Sequence, residues 1–284
     1  MRRIIFDGEF FNVKDTLECG QIFRFFPEDG GYYVVSGDKA AFCRNDGNDA
    51  VIECEDADAE YFANFFDLSN DYKSIVSSAK NCAYPFLGKC AEAGKGIRIL
   101  NQDKTEILFS FIVSQNNNIP RIKVIIERLC ANLGEKKTFY GKDFYAFPNV
   151  GKMAEADLSF YKSIGLGYRA EYIKKLADDI AGGFNPNELS PLDTAQLKTR
   201  LLSLYGVGPK VADCVALFGY HRLDSFPVDT WIEKVYRENL NGTIKDRKKI
   251  AEFLVGEFGG NSGYFQQYMF YYKRSIESTS ENRD

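Results

Sequence analysis

The sequence lacks the cysteine spacing that builds a disulfide framework or a metal clamp. It contains seven cysteines, an odd number, and the two closest, Cys82 and Cys90, lie eight positions apart. Small disulfide-rich domains pair an even number of cysteines, and zinc or iron–sulfur sites use closer pairs such as C-x-x-C. We therefore expect reduced thiols and no metal site or iron–sulfur cluster.

Long apolar runs are also missing. No stretch approaches the roughly 18 consecutive apolar residues of a membrane span. The first residues, MRRIIFDGEFFNVKD, mix charges with apolar positions and lack the apolar run of a signal peptide. We expect a cytoplasmic protein without membrane contact. Because 45% of the 284 residues are apolar, the chain is long enough to bury a core in one large domain or two smaller ones.

The chain has no excess of positive charge. Its net charge of -4 argues against a protein that coats nucleic acid by bulk attraction, because neutralising phosphates requires Lys and Arg at the contact surface. Acidic residues gather in EDADAE near position 55. A local basic patch remains open in the segment 162–175, which holds Lys162, Arg169, Lys174 and Lys175.

The N-terminal pattern predicts a small antiparallel sheet. Up to about residue 65, the segments GYYVVSG, AAFCRN and AVIECE are short and rich in β-branched or aromatic residues. Clusters of Gly, Asp and Asn separate them, as in turns. We expect a β-rich domain over residues 1–90.

From about residue 70 the apolar spacing becomes helical. In TEILFSFIVSQ, one stripe holds Ile107, Leu108, Phe111 and Ile112. The pattern predicts an α+β fold with a helical body over 91–278 and a polar tail at 279–284. We expect the final ESTSENRD to be disordered.

One segment, LKTRLLSLYGVGPKVADCVALFGY, predicts two helices joined by a tight hairpin. The first helix ends at Gly206, Val207 and Gly208, and the second begins with Pro209. Glycines allow positive φ and close approach, so backbone N–H groups here can meet a phosphate. A plain turn between helices is the alternative, and the hairpin alone indicates backbone binding without catalysis.

Lys210 occupies the second position of the second helix, where the macrodipole disfavours a cation. A lysine desolvated at a helix start can offer a neutral amine that attacks an electrophilic carbon and leaves a Schiff base. A solvated or phosphate-contacting lysine is the alternative.

Asp229 in SFPVDTWIEKVYRENL supplies the second chemical group. It could be only an N-cap. Thr230 and Glu233, however, have the spacing of a capping box, which would leave Asp229 outside the helix and facing a substrate. A carboxylate beside an amine suits cleavage of an N-glycosidic bond, because the sugar becomes cationic and its charge must be stabilised.

GVGPKVADC followed by PVDTW resembles the signature of the helix-hairpin-helix DNA glycosylases. Further matching pieces are ECGQIFRF at 18–25, FIVSQNNNIPRI at 111–122, GLGYRAEYI at 165–173 and GYFQQYMFYYKR at 263–274. The chain is most similar to the 8-oxoguanine branch, because alkyladenine-type members lack the lysine and the endonuclease III branch usually has an iron–sulfur loop. The resemblance implies a small antiparallel (TBP-like) sheet domain packed on a helical body, with the hairpin at about 196–218.

The resemblance also implies the roles of the site residues. Lys210 would displace the damaged base and form the Schiff base from which β-elimination nicks the strand, and Asp229 would stabilise the sugar cation. Cys214 and Phe270 would sandwich the flipped base, and Gln266 would bond its Watson–Crick edge. Core packing is the alternative for these three residues.

Gly20 matches the glycine whose carbonyl accepts the N7–H that 8-oxoguanine has and guanine lacks. Discrimination would then depend on a single hydrogen bond. A glycine in an ordinary turn is the alternative, and the surrounding CGQ-x-F pattern favours the first interpretation.

On the opposite strand, Asn116 matches the residue that fills the gap left by the flipped base. Arg121 and Arg169 match the arginines that read the orphaned cytosine, with Tyr168 as a wedge beside it. A surface loop and solvated arginines are the alternatives. The family usually has a histidine where this chain has Trp231, which puts a phosphate contact there in question.

The resemblance implies a bifunctional DNA glycosylase and AP lyase of base excision repair that acts on double-stranded DNA with an oxidised guanine. A glycosylase for another damaged purine and a non-catalytic DNA-binding protein are the alternatives. We expect a nucleoid-associated monomer, with no cofactor except a monovalent cation that the hairpin carbonyls could hold.

Overall fold

A five-stranded antiparallel sheet forms the N-terminal part of the computed structural model, which describes residues 1–281. Its strands are β1 (Arg2–Asp7), β2 (Phe25–Glu28), β3 (Gly31–Ser36), β4 (Lys39–Asp46) and β5 (Asp49–Cys54). They pair in the order β1-β5-β4-β3-β2. The predicted sheet is confirmed, since its three segments are β3, β4 and β5. The two edge strands were missed, and β2 includes a proline, which a sheet accepts mainly at its edge.

Two helices cover one face of this sheet, α1 (Val13–Glu18) and α2 (Ala59–Phe65). Alternate residues of β4 and β5, including Ala41, Cys43 and Ile52, are fully buried in one cluster with Leu17 of α1 and Phe62 of α2. The period of two is what a half-covered strand requires. Gly20 follows α1, so this small core fixes the approach to the site.

The rest of the described chain is mainly helical, and the predicted α+β class is confirmed. Its helices are α3 (Tyr72–Lys80), α4 (Pro85–Ala93), α5 (Lys104–Ser114), α6 (Ile119–Leu133), α7 (Val150–Glu155), α8 (Leu158–Ser163), α9 (Arg169–Ala181), α10 (Thr194–Leu202), α11 (Pro209–Tyr220), α12 (Thr230–Glu238), α13 (Arg247–Phe258) and α14 (Ser262–Glu281). Helices α3 and α4 contribute to the same core as the later helices.

Helix α5 lies at the centre of this body. The sequence predicted one apolar stripe, but every residue from Glu106 to Val113 is buried. A helix that is apolar on all sides is buried on all sides, so the predicted stripe was too narrow. Phe111 of α5 stacks on Phe218 of α11, with ring centroids 5.8 Å apart. The central helix therefore supports the helix that carries Lys210.

A hairpin of two strands, β6 (Lys136–Phe139) and β7 (Lys142–Tyr145), interrupts the helices and was not predicted. Phe139 packs in one cluster with Val35 and Phe42 of the N-terminal sheet. Arg24, just before β2, is buried and lies 3.5 Å from Glu106 and 3.2 Å from Glu127. These contacts connect the sheet to helices α5 and α6.

The last helix continues to Glu281, so the expected disorder of ESTSENRD is wrong through that residue. Extending an existing helix adds one hydrogen bond per residue without a new nucleation step. The remaining residues of the predicted tail, 282–284, lie outside the described part. Within residues 1–281, no helix is both long and apolar enough to cross a membrane.

Candidate active site

The predicted helix-hairpin-helix is formed by α10, α11 and the residues between them. Gly206 has a φ of +84°, and a Cβ there would lie 2.4 Å from the ring of Tyr172. Only glycine fits this position. Gly208 is the N-cap of α11 and has open space where a side chain would stand. The N–H groups at the start of α11 therefore remain accessible to a ligand.

A small pocket gathers six residues that the sequence proposed for catalysis and base binding. Its walls come from the α1–β2 loop, α5, α11, the segment before α12, and α14. The proposed residues that line it are Gly20, Lys210, Cys214, Asp229, Gln266 and Phe270. The pocket measures about 40 Å³, far below the roughly 300 Å³ of an ordinary ligand pocket. In this conformation the pocket is therefore much smaller than an ordinary ligand pocket.

Asp229 is the N-cap of α12, and the predicted capping box of Thr230 and Glu233 is wrong. The Asp229 carboxylate accepts from the Ile232 N–H at 3.0 Å. Glu233 instead accepts hydrogen bonds from Arg237 and Arg247, each at 2.8 Å. Asp229 nevertheless lines the pocket. A carboxylate held by its cap has a fixed orientation, which suits a charge-stabilising role.

Lys210 lies in the first turn of α11, with its Nζ 5.4 Å from the centroid of the Phe111 ring. Cys214 follows one turn later on the same face and is 3% exposed. Burial raises the pKa of the Cys214 thiol to about 11, whereas the nearby Lys210 acts in the opposite direction. Cys214 is therefore a neutral thiol beside the amine.

Gln266 has one free hydrogen-bonding atom in this pocket. Its Nε2 donates to the Pro227 carbonyl at 3.2 Å. Its Oε1 is buried and has no hydrogen-bond partner within residues 1–281. A buried polar atom without a partner is costly. The pocket thus offers an acceptor to a ligand that carries an N–H donor.

Gly20, in the α1–β2 loop, is the residue nearest the N-terminus among those that line the pocket. Its φ of +98° is a conformation that glycine adopts freely. A Cβ there would lie 2.9 Å from Arg274 Nη1 and 3.4 Å from Phe270 Cε1. A side chain would therefore enter the space beside Phe270.

A second cluster surrounds the loop between α5 and α6. Asn116 has a φ of +46° at the tip of this loop. The buried Arg169 guanidinium donates to the carbonyls of Gln115, Asn116 and Leu166. Gln115 Nε2 donates to the Gly206 carbonyl at 2.8 Å. The loop is thereby connected both to α9 and to the hairpin.

Tyr168 and Arg121 lie beside this loop on the surface. Tyr168 is 51% exposed, and its hydroxyl donates to the Gln115 carbonyl at 3.4 Å. Arg121 Nη2 donates to the Gly165 carbonyl at 3.3 Å. The structure therefore brings the four residues proposed for the opposite strand into one cluster, with Arg169 engaged by main-chain carbonyls.

The basic patch considered over residues 162–175 does not present all its charges freely. Lys174 and Lys175 pair with Asp178 and Asp179 at 2.6 Å, one helical turn away. Arg169 is 4% exposed. Two of the four charges have an acidic partner on the same helix and a third is buried, so the patch presents less free positive charge than its sequence suggests.

A larger cavity of about 550 Å³ also reaches Lys210. It lies among α10, α11 and α13, where Lys198 pairs with the buried Asp213. Asp229 and Gln266 do not line it. Of these two pockets, the smaller one combines the amine with the Asp229 carboxylate and the unpartnered acceptor of Gln266. In the described range 1–281, no group of three or more His, Cys, Asp or Glu side chains could hold a metal ion.

Five residues of the site were not anticipated. Four of them line the base pocket, namely Phe111, Phe218, Pro227 and Gln267, and Gln115 connects the loop to the hairpin. The motif FIVSQNNNIPRI contains both Phe111 and Gln115. Phe111 was interpreted as a core residue because it lies on the apolar stripe of a helix. No local pattern predicts a partner for the side-chain amide of Gln115. Trp231 is half-buried in the first turn of α12.

Two family models match the chain. Residues 3–108 match the N-terminal domain of 8-oxoguanine DNA glycosylase, and residues 109–258 match the HhH-GPD superfamily of base excision DNA repair proteins. The boundary expected near residue 90 remains a prediction.

Individual proteins agree with these matches. The chain is 30% identical to the "Probable N-glycosylase/DNA lyase" of Methanothermobacter thermautotrophicus over 74% of this chain and 72% of that protein. It superposes with a TM-score of 0.89 on Clostridium acetobutylicum 8-oxoguanine glycosylase/lyase in complex with dsDNA containing cytosine opposite to 8-oxoG, with 38% identity and coverage of 95% and 93% of the two chains. MBOgg1 in complex with a low affinity DNA ligand gives a TM-score of 0.91, 37% identity and coverage of 97% and 96%.

Proposed function

The chain belongs to the HhH-GPD superfamily of base excision DNA repair proteins, with an 8-oxoguanine DNA glycosylase N-terminal domain, and from this premise we propose that Lys210 and Asp229 perform its chemistry. The protein is a bifunctional DNA glycosylase and AP lyase that acts on 8-oxoguanine in double-stranded DNA. The observation that supports the residue assignment is the single pocket lined by Lys210, Asp229 and Gln266.

The reaction begins with the lesion outside the base stack. Extruding a nucleotide costs a few kcal/mol of stacking and pairing. The amine of Lys210 attacks C1′ of the sugar, and the C1′–N9 bond breaks with its electron pair leaving on the base. Positive charge develops on the sugar ring in this step, and the fixed carboxylate of Asp229 stabilises it.

Strand cleavage follows from the covalent intermediate. The C1′–O4′ bond of the sugar breaks and O4′ takes up a proton, so that the nitrogen of Lys210 forms a Schiff base with C1′. The protonated imine acidifies the C2′–H bond, and removal of that proton expels the 3′ phosphate. Asp229 lies in the same pocket as Lys210, and its carboxylate assists these proton transfers. Phe111 and Cys214 border the amine in the same pocket.

We assign base recognition to Gly20 and Gln266. The Gly20 carbonyl would accept the N7–H of 8-oxoguanine, and the unpartnered Gln266 Oε1 would accept an N–H of the Watson–Crick edge. Cys214 and Phe270 would contact the two faces of the ring. Losing a buried acceptor's only partner costs roughly 1–3 kcal/mol, which corresponds to about 5- to 150-fold against guanine.

We assign the opposite strand to the cluster around Asn116. Asn116 would occupy the vacated space, with Tyr168 as the wedge. Arg121 is exposed and would read cytosine, whereas Arg169 already donates to three main-chain carbonyls and would chiefly hold the loop in place. The N–H groups of Gly206 and Gly208 would contact a phosphate beside Val207, whose own N–H donates to the Leu204 carbonyl at 3.1 Å. The hairpin carbonyls are the ligands that a monovalent cation would use there.

Borohydride trapping tests the chemistry. The protein is incubated with an 8-oxoguanine:cytosine duplex and sodium borohydride, which reduces a Schiff base to a stable adduct. The wild type should form a covalent protein–DNA species, and Lys210→Gln should form none. Lys248→Gln is a matched control, since the exposed Lys248 lines the larger cavity and is not among the residues that line the smaller pocket. An undiminished adduct in Lys210→Gln would exclude Lys210 as the nucleophile.

Two further measurements separate the alternatives. Excision compared across several damaged purines should be fastest for 8-oxoguanine, and a clear preference for alkyladenine would overturn this substrate. DNA binding without any adduct or excision would instead indicate a non-catalytic hairpin protein.

Arg121→Ala should reduce the preference for cytosine opposite the lesion, and unchanged ratios over the four opposite bases would remove that role. We also infer that the enzyme acts as a monomer on the cytoplasmic nucleoid.

A further inference from the structure

Two walls of the base pocket come from distant parts of the chain. Gly20 follows α1, and Phe270 lies on α14, yet a Cβ at Gly20 would be only 3.4 Å from Phe270 Cε1. The space for a base depends on how far apart these two residues are held. The main chain at Gly20 and the ring of Phe270 must therefore be held in fixed positions relative to each other.

Arg274 contacts both walls. It lies one turn after Phe270, and its guanidinium carbon is 5.4 Å from the centroid of the Phe270 ring. Its Nη2 donates to the Glu18 carbonyl at 2.5 Å, two residues before Gly20. Its Nη1 is 2.9 Å from the position of a Cβ at Gly20.

Other bonds connect the same helix to the same segment. Gln267 Nε2 donates to the Cys19 carbonyl at 3.2 Å, and the Tyr271 hydroxyl donates to Asp15 at 3.0 Å. Neither of these two hydrogen bonds involves the ring of Phe270. Arg274 combines a charge-assisted hydrogen bond to the main chain with a cation–π contact to that ring, and both are stronger than their neutral counterparts.

We propose that Arg274 is a positioning residue that sets the distance between the Gly20 carbonyl and the face of Phe270, and thereby the selectivity for the oxidised base. This inference rests on the proposed function. A hydrogen bond weakens steeply once donor and acceptor leave their narrow range of distance and angle, and binding sites must hold their groups within about 0.5 Å. A shift of Gly20 would remove the bond that distinguishes 8-oxoguanine from guanine.

The two reactions of the enzyme depend on this geometry to different extents. Excision requires a base whose edge meets the Gly20 carbonyl and whose face meets the Phe270 ring. Strand cleavage at a preformed abasic site has no base there and uses only the sugar, Lys210 and Asp229. A positioning defect should therefore slow excision and leave strand cleavage near its original rate, whereas a general folding defect should slow both.

The experiment compares Arg274→Leu and Arg274→Lys with the wild type in single-turnover assays. One duplex carries 8-oxoguanine opposite cytosine, and the other has a preformed abasic site in the same sequence. Arg274→Leu should slow excision by about tenfold or more and change strand cleavage by less than about threefold, the tenfold being the loss of one hydrogen bond to a charged group. Arg274→Lys should recover part of the excision rate, because it keeps a cationic donor.

Arg222→Leu is the matched control, because Arg222 also donates to main-chain carbonyls, those of Ser190 and Leu192, both at 2.7 Å. It should leave the ratio of the two rates unchanged. Normal excision by Arg274→Leu, or a parallel fall in both reactions, would overturn the positioning role. If Arg274→Leu does not fold, a wild-type rate ratio in Arg274→Lys and Arg274→Gln would overturn it equally. A wild-type protein inactive on both duplexes would instead contradict the proposed function.

Discussion

The side-chain amide of Gln115 donates to the carbonyl of Gly206 at 2.8 Å, while the Gln115 carbonyl accepts from Arg169 Nε at 2.7 Å. One residue thus joins the hairpin assigned to phosphate binding and the loop that carries Asn116. A displacement of either element is transmitted to the other through this contact. Phosphate binding and filling of the gap in the DNA should therefore be coupled.

Gln115→Ala tests that coupling. It removes the bond to Gly206 but keeps the main-chain carbonyl that holds Arg169. A typical hydrogen bond contributes about 1 kcal/mol, so binding to a duplex with a stable abasic analogue should weaken roughly fivefold, as measured by fluorescence anisotropy. Asn132→Ala, which removes an exposed hydrogen bond from the Asn132 side-chain amide to the Arg128 carbonyl, should bind normally. Equal affinities of the Gln115→Ala and wild-type proteins would contradict the coupling.

The parts of the site that the sequence predicted are those with a local pattern. Gly206, Gly208 and Lys210 stand within five positions, and turn chemistry with helix-start chemistry explains their spacing. The meeting of Gly20 with Gln266 depends on the whole fold. Only the resemblance to a known family placed these two residues in one pocket.

The capping of α12 illustrates why other details could not be predicted. Three neighbouring residues could have formed the cap, and the spacing of Thr230 and Glu233 favoured a capping box. Arg247, far along the chain, binds Glu233 at 2.8 Å and removes it from the cap. A tertiary ion pair of this kind leaves no local pattern, and neither does the packing of the β6–β7 hairpin on the sheet.

Asp229→Asn should separate the two roles of this residue. Asn caps a helix about as well as Asp, so the melting temperature should stay close to the wild-type value. The amide carries no charge to stabilise the sugar cation, and excision should slow on the order of 100-fold or more, as for loss of other charge-stabilising groups. Thermal denaturation and single-turnover excision measure the two effects. Asp229→Ala should also lose the cap, at about 1 kcal/mol. Near-normal excision by Asp229→Asn would show that the carboxylate serves only as a cap.

Gly20→Ala should affect both the backbone and the pocket. A residue with a side chain at φ +98° costs about 1–2 kcal/mol, and the new methyl group would stand against Arg274 and Phe270. Excision should fall more than strand cleavage at an abasic site. Gly30→Ala is the matched control, because Gly30 also has a positive φ, +79°, with no atom near a Cβ. Similar excision rates in the two variants would show that Gly20 does not border the bound base.

Glu106 should make the stability of the fold depend on pH. Burial raises the pKa of this carboxyl from 4.5 to about 7, against the opposing effect of Arg24 and of the Gly37 N–H, while Asp103 and Glu127 add to the rise. The folded protein therefore binds this proton more tightly than the unfolded chain does. The stabilisation it gives is complete below about pH 4.5 and is lost as the pH rises through about 7.

Glu106→Gln removes the titration and keeps an oxygen that can accept from the Gly37 N–H, which donates to Glu106 at 2.6 Å. In urea unfolding between pH 5 and pH 8, the free energy of unfolding of the wild type minus that of the variant should fall as the pH rises to about 7. The slope should not exceed about 1.4 kcal/mol per pH unit, the limit for one proton. Glu60→Gln, at an exposed position of α2, should give a curve parallel to the wild type. A difference for Glu106→Gln that is constant or increases with pH would show that this carboxyl stays ionised in the folded protein, with Arg24 outweighing its burial.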